Sequence, residues 1–365
     1  MSEWQTFCLK DLGKIVGGAT PSTNNPKNYG NKIAWITPKD LSTLQGRYIK
    51  KGSRSISRLG FKSCSCVLLP KHAILFSSRA PIGYVAIAKK RLCTNQGFKS
   101  IIPNKKIYFE FLYYLLKYHK DNISNIGGGT TFREVSGATL GLFKVKIPPT
   151  YYEQQKIART LSILDQKIEN NHKINELLHT LAYKIYEYYF KYKPKNAKLE
   201  QIIIENPKSS IMVKNAQKTQ DKYPFFTSGD NILFYPKAII DGRNCFLNTG
   251  GNAGIKFYVG KASYSTDTWC ICANEFSDYL YLLLSSIKTH INQSFFQGTS
   301  LKHLQKNLLK KYPIYMPSAH EIKKFNQIIM PLLTLISINT RTSKKLEQIR
   351  DFLLPLLLKQ QVKPQ

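Results

Sequence analysis

Acidic residues are scarce in this sequence. Its 365 residues include 22 Asp and Glu against 54 Lys and Arg, which gives a formal net charge of +32. No acidic residue occurs between Asp40 and Glu110, although 14 Lys and Arg lie there. This excess is more than solubility requires and predicts a polyanionic partner, either a nucleic acid or a membrane surface. A generally lysine-rich, solvated surface is the alternative, and it explains the total charge better than the acid-free stretch.

Long apolar runs are also lacking. No segment is long enough to span a bilayer, and the N-terminus does not resemble a signal peptide, so we expect a soluble cytoplasmic protein without membrane contacts. The seven cysteines include two C-x-C pairs, Cys64/Cys66 and Cys270/Cys272, in runs that are typical of strands. Since no further pair or histidine set completes a zinc site, we expect buried free thiols and no metal.

Enzyme motifs are missing as well. A methyltransferase needs a glycine-rich cofactor loop and an Asn/Asp-Pro-Pro-aromatic motif, but 147–150 reads Ile-Pro-Pro-Thr. There is no P-loop, and His320-Glu321 lacks the second histidine of a metalloprotease. We therefore expect a non-catalytic protein with no cofactor of its own. A self-contained nuclease, or another nucleic-acid enzyme with an unrecognised active site, stays open as the alternative, as does a basic coiled-coil scaffold.

The second half of the sequence repeats the first. Five short matches occur in the same order at a nearly constant offset, which makes chance an unsatisfactory explanation. The matches are 111–116 with 279–284, 129–132 (Gly-Thr-Thr-Phe) with 298–301 (Gly-Thr-Ser-Leu), 147–149 with 316–317, 77–83 with 248–254, and 94–96 with 265–268.

A long helical pattern follows each proline motif. Its apolar residues recur in alternating steps of four and three, which predicts an a/d seam of more than four heptads in each copy. The seam positions are Ile157, Leu161, Leu164, Ile168, Asn171, Asn175 and Leu178 in the first helix, and Ile329, Leu332, Ile336, Asn339 and Leu346 in the second.

The middle of each seam is polar. Asn171 and Asn175 occupy adjacent seam positions in the first helix, and Asn339 and Ser343 occupy the same positions in the second. These positions meet if the helices pair with each other, in either a parallel or an antiparallel direction. Packing of each helix on its own domain is the alternative. Two prolines, at 331 and 355, predict a kink or break in the second helix.

The globular segments have the mixed pattern of an α/β (mixed α+β) fold. Strand-like runs cover 62–67, 73–76 and 82–88, and 109–118 resembles a short aromatic helix. We predict a first globular domain over 1–150, a central helix over 151–194, a second globular domain over 195–318 and a C-terminal helix over 319–365. The net charge is +18 in 1–150 and +7 in 195–318, so the first domain is the more basic.

The combined motifs resemble the specificity subunit of type I restriction–modification systems, with its two target-recognition domains. The resemblance covers nearly the whole chain except 195–225, which lacks the Gly-x-Thr-Pro-Ser opening of the first copy. The similar motifs are Trp4…Leu9…Leu12-Gly13-x-Ile15, Gly17-Gly18-x-Thr20-Pro21-Ser22, Trp35-Ile36-Thr37-Pro38-x-Asp40-Leu41, Ser78–Gly83 with Thr94–Phe98, and Asn248–Gly254 with Ser265–Thr268.

This resemblance implies a specific function and assembly. Each domain would recognise one half of a bipartite site in double-stranded DNA, and the two helices would pair as an antiparallel coiled coil. That coiled coil would serve as a spacer and as a docking platform for methyltransferase (modification) subunits, two of them, together with a restriction/translocase subunit. S-adenosylmethionine, ATP and Mg would then be bound by those partner subunits.

The candidate DNA-binding residues combine basic side chains for phosphates with amides and Arg for base edges. Asn95 and Asp267 have turn capping as an alternative role, and Arg79 has a structural ion pair. Gly83 and Gly254 are expected to serve close packing. The candidates are Lys50, Lys51, Arg54, Arg58, Lys62, Arg79, Lys89, Lys90, Arg91, Asn95 and Gln96 in the first domain, and Asn252, Lys256, Asp267 and Thr268 in the second.

Overall fold

In the computed structural model, the described residues are 3–79, 81–128, 133–216, 222–229 and 232–363. The chain forms two compact units. Unit 1 comprises residues 1–170 and 344–365, and unit 2 comprises residues 171–343. The division passes through both long helices, so each unit holds one globular part and a segment of each helix.

The globular part of unit 1 mixes short strands and helices, as the sequence predicts. Its strands are β1 (Gln5–Cys8), β2 (Gly13–Gly17), β3 (Tyr29–Ile36), β4 (Tyr48–Ile49), β5 (Arg54–Ile56), β6 (Ile74–Phe76), β7 (Val85–Ala88), β8 (Cys93–Thr94), β9 (Lys99–Pro103) and β10 (Lys144–Ile147). Its helices are α1 (Leu9–Leu12), α2 (Pro38–Ser42), α3 (Arg58–Lys62), α4 (Phe109–Asn125) and α5 (Gly137–Leu142).

These strands form three sheets. Five strands are ordered β2-β9-β6-β7-β4, three are ordered β5-β3-β8, and β1 pairs with β10. The aromatic helix α4 packs on β6 and β7 and buries Phe111, Tyr114 and Leu115 in the same core as Ile74 and Phe76. All three residues of β6 are buried, because the strand is covered on both faces. The predicted aromatic helix is therefore confirmed, and it is longer than expected.

The first long helix, α6 (Tyr151–Tyr186), continues through a π-helical turn at Glu187–Lys191. Its N-terminus begins with a capping motif of the Thr-x-x-Glu type. Thr150 Oγ1 accepts a hydrogen bond from Glu153 N at 3.2 Å and donates one to Glu153 Oε2 at 3.1 Å. The helix start at residue 151 thus follows from the local sequence.

The globular part of unit 2 has the same kinds of element. Its strands are β11 (Ala197–Lys198), β12 (Ile204–Glu205), β13 (Tyr223–Phe226), β14 (Leu233–Tyr235), β15 (Arg243–Asn248), β16 (Ile255–Val259), β17 (Ser263–Tyr264), β18 (Thr268–Cys272), β19 (Phe296–Gln297), β20 (His303–Leu304) and β21 (Pro313–Ile314). Its helices are α7 (Val213–Ala216), α8 (Ser277–Ser286), α9 (Lys288–Ser294) and α10 (Lys306–Lys310).

The sheets of unit 2 repeat the connectivity of unit 1. The order β12-β18-β15-β16 matches β2-β9-β6-β7, and the order β14-β13-β17 matches β5-β3-β8, including the parallel pairing of its last two strands. The pair β11-β21 corresponds to β1-β10. The entry to the second domain lacks the sequence motifs of the first, yet β12 and β13 keep the equivalent strand pairings.

The second long helix, α11 (Ala319–Leu358), begins with the matching Ser-x-x-Glu motif. Ser318 Oγ accepts from Glu321 N at 3.4 Å, and Glu321 Oε2 accepts from Ser318 N at 2.9 Å. The sequence predicts a kink or break at Pro331 and Pro355; the helix continues through both prolines, so the predicted break is wrong. Pro331 has no N–H to donate to the carbonyl of Gln327, one turn earlier. Pro331 and Gln327 are both exposed, so this carbonyl lies on the solvent side of the helix.

In each unit the segments of α6 and α11 pack antiparallel. In unit 2, Tyr189 contacts Phe325, with ring centroids 5.9 Å apart, and Asn175 pairs with Asn339. In unit 1, Asp165 pairs with Arg350. Within unit 2, partners therefore come from earlier residues of α11 as α6 advances. Within unit 1, Ile157 near the start of α6 and Leu357 near the end of α11 line the same cavity, which is the same antiparallel order. The antiparallel pairing implied by the resemblance is confirmed, and packing of each helix on its own domain alone is excluded.

Burial along the seam follows the predicted pattern. Some apolar seam residues are partly buried, namely Leu164, Leu178, Leu332 and Leu346. The polar centre pairs as the seam requires, since Asn171 Nδ2 donates to Ser343 Oγ at 3.1 Å. The buried seam residues are Ile157, Leu161, Ile168, Ile329 and Ile336.

The strand predicted over 62–67 is wrong, because Ser57 caps α3 and the chain continues as a helix to Lys62. Of the two C-x-C pairs, Cys66 and Cys270 are buried free thiols as expected, whereas Cys64 and Cys272 are free but only partly buried. The Gly-Thr-Thr-Phe motif at 129–132 lies outside the described residues. Within the described part of the chain, no helix combines the length and apolarity that crossing a membrane requires.

Candidate nucleic-acid interface

Two pairs of candidate lysines lie at one edge of the five-stranded sheet in unit 1. Strand β4 runs parallel to β7, with Ile49 opposite Ala88. Because parallel neighbours end at the same sheet edge, Lys50 and Lys51 after β4 lie beside Lys89 and Lys90 after β7. The hydrogen bond from Lys89 N to Ile49 O, 2.9 Å long, connects the two segments. We call Lys50, Lys51, Lys89 and Lys90 the lysine edge. All four lysines are exposed, as a phosphate-binding surface requires.

The last acid before the basic segment supports this edge. Asp40 Oδ1 accepts from Ser53 N, and Asp40 Oδ2 accepts from Thr37 N, both at 2.7 Å. Burial works against its charged form, but these hydrogen bonds outweigh burial and hold the pKa of Asp40 below its ordinary value. Asp40 therefore remains ionised and restrains the loop that follows Lys50 and Lys51.

The other basic candidates of the acid-free stretch occupy different elements. Arg54 lies on β5, with its guanidinium 4.5 Å from the ring centroid of Tyr29. Arg58 and Lys62 are on the exposed side of α3, and Arg91 is exposed just before β8. All four residues lie on the surface; Arg54 belongs to the three-stranded sheet, and Arg91 directly follows Lys90.

The predicted base-contacting loop of unit 1 follows β8. Asn95 N donates to Ile36 O at 2.9 Å, and Asn95 Oδ1 accepts from Gly97 N at 3.0 Å. The Asn95 side chain is thus engaged in its own turn, which was the alternative role. Gln96 is exposed next to it and hydrogen-bonds Thr20. The structure therefore leaves Gln96, more than Asn95, available at this surface.

Arg79 lies close to the same loop. Ser78 N donates to Gly97 O at 2.8 Å, which brings the residue before Arg79 against the loop. The Arg79 guanidinium is 3.7 Å from the carboxylate of Glu134, and Lys99 approaches that carboxylate at 3.3 Å. Arg79 is partly exposed in a loose ion pair. Exposed pairs of this kind contribute little stability, so Arg79 retains the capacity to bind an anion.

In unit 2 the equivalent loops, which contain Thr249 and Asp267, are also hydrogen-bonded to each other. Asp267 O accepts from Thr249 N at 3.3 Å and from Thr249 Oγ1 at 2.7 Å. Asp267 is exposed, although its carboxylate hydrogen-bonds Ser265. Thr268 is buried and donates to Phe226 O at 3.2 Å. The structure therefore gives Thr268 a packing role in this loop pair.

Two further candidates of unit 2 differ in exposure. Lys256 Nζ donates to Thr227 O at 2.8 Å and to Asn248 Oδ1 at 3.1 Å, which ties it to the protein. Asn252 is exposed, and its backbone carbonyl accepts a hydrogen bond from Asn248 Nδ2 at 3.2 Å. Gly254 packs on Asn248 so closely that an added Cβ would lie 2.3 Å from its amide nitrogen. The expected packing role of this glycine follows from that distance.

The structure also places basic residues that the sequence analysis did not select. Arg79 forms a β-bridge with Glu134, and in unit 2 Gly250 forms the corresponding bridge with His303. Arg133 and Lys302 immediately precede the bridge residues, and both are exposed. The signal available in the sequence was their position just after the two repeated glycine motifs at 129–132 and 298–301.

Within the described residues, no three His, Cys, Asp or Glu side chains are close enough to one another to hold a metal ion. Most of the described side chains at these loops are amides, hydroxyls and cations, and Asp267 adds an exposed carboxylate. Such groups are suited to hydrogen bonding with base edges and phosphates.

Comparison with known proteins identifies the family. The model of the type I restriction modification DNA specificity domain matches twice, over residues 1–180 and 195–348. The chain belongs to this family. The two matches reproduce the internal repeat, and they cover the second domain despite its divergent entry. The comparisons give no support to the alternative of a self-contained nuclease.

Two curated relatives and one crystal structure are similar to this specificity-domain protein. It is 33% identical to the type I restriction enzyme MjaIX specificity subunit of Methanocaldococcus jannaschii, covering 98% of this chain and 93% of the relative. It is 30% identical to the HindI specificity subunit of Haemophilus influenzae over 46% of this chain and 37% of the relative. The crystal structure of an S subunit from M. genitalium has a TM-score of 0.64 at 18% identity, covering 98% of this chain and 96% of that one.

Proposed function

We propose that this protein is the sequence-specific DNA-binding subunit of a type I restriction–modification complex and recognises a bipartite site in double-stranded DNA. The domains over 1–150 and 195–318 would each bind one half-site. The observation that carries this proposal is the equivalent bridge in the two units, Arg79 with Glu134 and Gly250 with His303. The two bridges place different side chains at equivalent backbone positions, so the two half-sites would differ in sequence.

The exposed residues divide into two groups by chemistry. Lys50, Lys51, Lys89 and Lys90 form a compact cationic edge and would bind phosphates. Base contacts would come from side chains on the two hydrogen-bonded loops of each unit, which have the donors and acceptors that base edges require. These groups are Gln96, Arg79 and Arg133 in unit 1, and Asn252, Asp267 and Lys302 in unit 2.

Exposed apolar residues form a stripe on the long helices, which supports the proposal that another protein binds there. In unit 2, Ile174, Leu177 and Leu181 recur at steps of three and four on α6, outside the seam, and Leu177 is 72% exposed. On α11, Ile328, Leu335 and Ile338 are also exposed. We call these six residues the unit 2 stripe. A patch of this kind on a charged helix surface is typical of a protein interface, and we propose that a methyltransferase subunit binds it.

Unit 1 carries a comparable patch. Ile163 on α6 and Ile349 and Phe352 on α11 are exposed, and Phe352 is 68% exposed. One apolar patch in each unit supports two methyltransferase subunits for each chain. These partners, with a restriction/translocase subunit, would bind the S-adenosylmethionine, ATP and Mg that the complex needs, while this chain binds none of them. The complex would act in the cytoplasm, where its DNA lies.

Methylation mapping tests the proposed function. Genome-wide methylated sites would be compared in cells with and without this chain, while the methyltransferase is expressed in both. We expect one bipartite motif to be methylated only when the chain is present. Methylation or cleavage of DNA by the purified chain alone, with Mg and S-adenosylmethionine, would contradict a non-catalytic recognition subunit.

A domain exchange tests the division of labour. Residues 1–150 would be replaced by the first recognition domain of another specificity subunit. We expect one half of the methylated motif to change and the other half to stay the same. A change in both halves would show that the two domains do not recognise DNA independently.

A further inference from the structure

Unit 1 buries a group of charged side chains where its globular part packs on α6. Arg47, the residue before β4, has a side-chain exposure of 3%. Its Nη1 donates to Glu110 Oε1 at 3.0 Å, and its backbone N and Nε donate to Glu169 Oε1 at 3.0 and 3.2 Å. Glu110 lies in the first turn of α4 and Glu169 lies on α6. One guanidinium therefore connects the sheet, the aromatic helix and the long helix.

A second arginine extends this group to α11. Arg350 Nη1 donates to Asp165 Oδ1 at 2.7 Å, and Tyr114 OH donates to Asp165 Oδ2 at 2.5 Å. Asp165 has a side-chain exposure of 5%, and its Oδ2 lies 3.9 Å from Arg47 Nε. We call Arg47, Glu110, Asp165, Glu169 and Arg350 the Arg47 cluster.

Phenol groups complete the hydrogen bonding of the cluster. Tyr108 OH donates to Glu110 Oε2 at 3.1 Å, and Tyr48 OH also donates to this carboxylate. Burial and the neighbouring Glu110 raise the pKa of Tyr108 to about 12, so this phenol stays protonated and acts as a donor. The buried Asp165 and the partly buried Glu110 and Glu169 thus have partners, which a charge removed from water needs in order to persist.

Stability alone is a weak reason for such a cluster. The same junction already contains apolar packing, since Leu161, Leu354 and Leu357 belong to one buried core with Tyr114. Removing charges from water is costly, and well-packed apolar replacements of buried ion pairs are often neutral or stabilising. What the planar guanidinium adds is direction, because its donors meet carboxylates only in a narrow range of orientations.

Unit 2 has an arginine with the same connections, but it comes from a different strand. Arg243 on β15 pairs with Asp278, which lies 168 residues after Glu110 and occupies the equivalent turn of the aromatic helix. Its Nη1 donates to Thr334 Oγ1 at 3.0 Å on α11, the helix that follows this domain. The residue equivalent to Arg350 is Ala182, which is buried. Two different sequence positions thus provide the same kind of link between recognition domain and helix.

From this geometry we propose that Arg47 is a positioning residue, which sets the direction in which the first recognition domain is held on its helix pair and thereby limits the half-site spacings that the protein accepts. This inference rests on the proposed function, because spacing has meaning only for a bipartite site. Weakening the Arg47 cluster lets the domain rotate on its apolar contacts. The domain then reaches half-sites displaced by one base pair, while its own base contacts stay unchanged.

The test compares methylation of DNAs that differ only in spacer length. The chain, in complex with its methyltransferase, is assayed on the native site and on sites with one base pair more or fewer. We expect Arg47→Lys, which keeps the charge but loses the planar fork, to reduce discrimination against the altered spacers about tenfold. Discrimination against base changes within either half-site is expected to stay as in the wild type.

Two further variants make the test decisive. Arg159→Lys makes the same change at an exposed residue of α6 and is expected to keep wild-type spacer discrimination. Glu169→Gln keeps an acceptor for Arg47 but removes one charge, and it serves if Arg47→Lys does not fold by circular dichroism. Wild-type spacer discrimination in a folded Arg47→Lys or Glu169→Gln complex would overturn the inference. A wild-type complex that recognises no bipartite site would instead refute the proposed function.

Discussion

Asn339 Nδ2 donates a hydrogen bond of 2.9 Å to Asn175 Oδ1 at the centre of the helix pair in unit 2. Asn175 Nδ2 in turn lies 3.3 Å from Ile336 O, so the amide pair is integrated into the backbone of α11. Both side chains are partly buried in an otherwise largely apolar seam. A polar pair at this position opposes any register in which either amide would face a leucine.

This pair predicts a non-additive effect on stability. Asn175→Leu leaves the Asn339 amide without its partner and is expected to lower the free energy of unfolding by about 1–3 kcal/mol. The double variant Asn175→Leu, Asn339→Leu removes both polar groups and is expected to recover most of that loss. Urea unfolding followed by circular dichroism measures both. A double variant as unstable as the single one would show that the hydrogen bond is not the cause.

The unit 2 stripe predicts a loss of partner binding without a loss of stability. Leu177→Glu places a charge at the most exposed residue of the stripe and is expected to weaken co-purification of the methyltransferase at least about tenfold. Because Leu177 is 72% exposed, we expect unfolding to stay within about 0.5 kcal/mol of the wild type.

A charge change on another face of α6 provides the control for this variant. Lys173→Glu alters an exposed residue outside the stripe and is expected to retain the partner. Equal loss of binding in Lys173→Glu and Leu177→Glu would indicate a general charge effect and argue against the stripe as the interface.

The lysine edge predicts a change in the salt dependence of DNA binding. Lys50→Ala with Lys51→Ala is expected to reduce the slope of log K against log salt by ~0.9 for each phosphate that the variant no longer neutralises. The reduction should be the same for specific and non-specific DNA, because phosphates carry no sequence information. The measurement is a fluorescence anisotropy titration over a range of salt concentrations.

Lys323→Ala with Lys324→Ala is the matched control for the lysine edge. It removes the same charge from exposed residues of α11, outside the predicted DNA surface. If the two double variants changed the slope equally, the net charge and not the edge would govern binding.

The N-terminus of α11 predicts a pH effect. Hydrogen bonds from Ser318 and Tyr315 lower the pKa of Glu321 from 4.5 to about 2. A carboxylate with a lowered folded-state pKa stabilises the protein above its unfolded pKa and loses that effect as the pH falls through the folded value. Glu321→Gln is therefore expected to cost about 1 kcal/mol at neutral pH, with the cost shrinking as the pH falls from 4.5 towards 2.

Stability curves of the wild type and Glu321→Gln across this pH range measure the effect. Glu176→Gln, an exposed position of α6, is the control and is expected to show no comparable cost. A pH-independent difference between wild type and Glu321→Gln would mean that the ionised carboxylate is not what stabilises the helix start.

Features encoded within a few residues could be predicted from the sequence. The Thr-x-x-Glu and Ser-x-x-Glu motifs define the starts of α6 and α11, and the a/d periodicity defines their buried sides. The prolines of α11 show where local rules fail. Pro331 disrupts one backbone hydrogen bond, but packing of the helix against α6 outweighs that local cost and the helix continues.

The candidate site was predictable in composition but not in arrangement. Lys50 and Lys89 are far apart in the sequence, and only the parallel pairing of β4 with β7 brings their segments together. Thr268 and Lys256 resemble DNA-binding residues by type, yet their hydrogen bonds to Phe226 O and Thr227 O engage them within the fold. Arg133 and Lys302 lie beside the loops because of β-bridges that no local pattern predicts.

The sequence by itself determined the family, the duplicated architecture, the two long helices and the basic character of the first domain. These depend on motifs, periodicity and charge, which are properties of neighbouring residues. The a/d periodicity alone left the direction of the helix pair open, and only the tertiary structure decided it and brought Arg47 to its partners. Arg47 lies in the acid-free stretch, but its acidic partners are 63 and 122 residues away and meet it only in the folded core. Long-range pairing of this kind depends on packing of the whole chain.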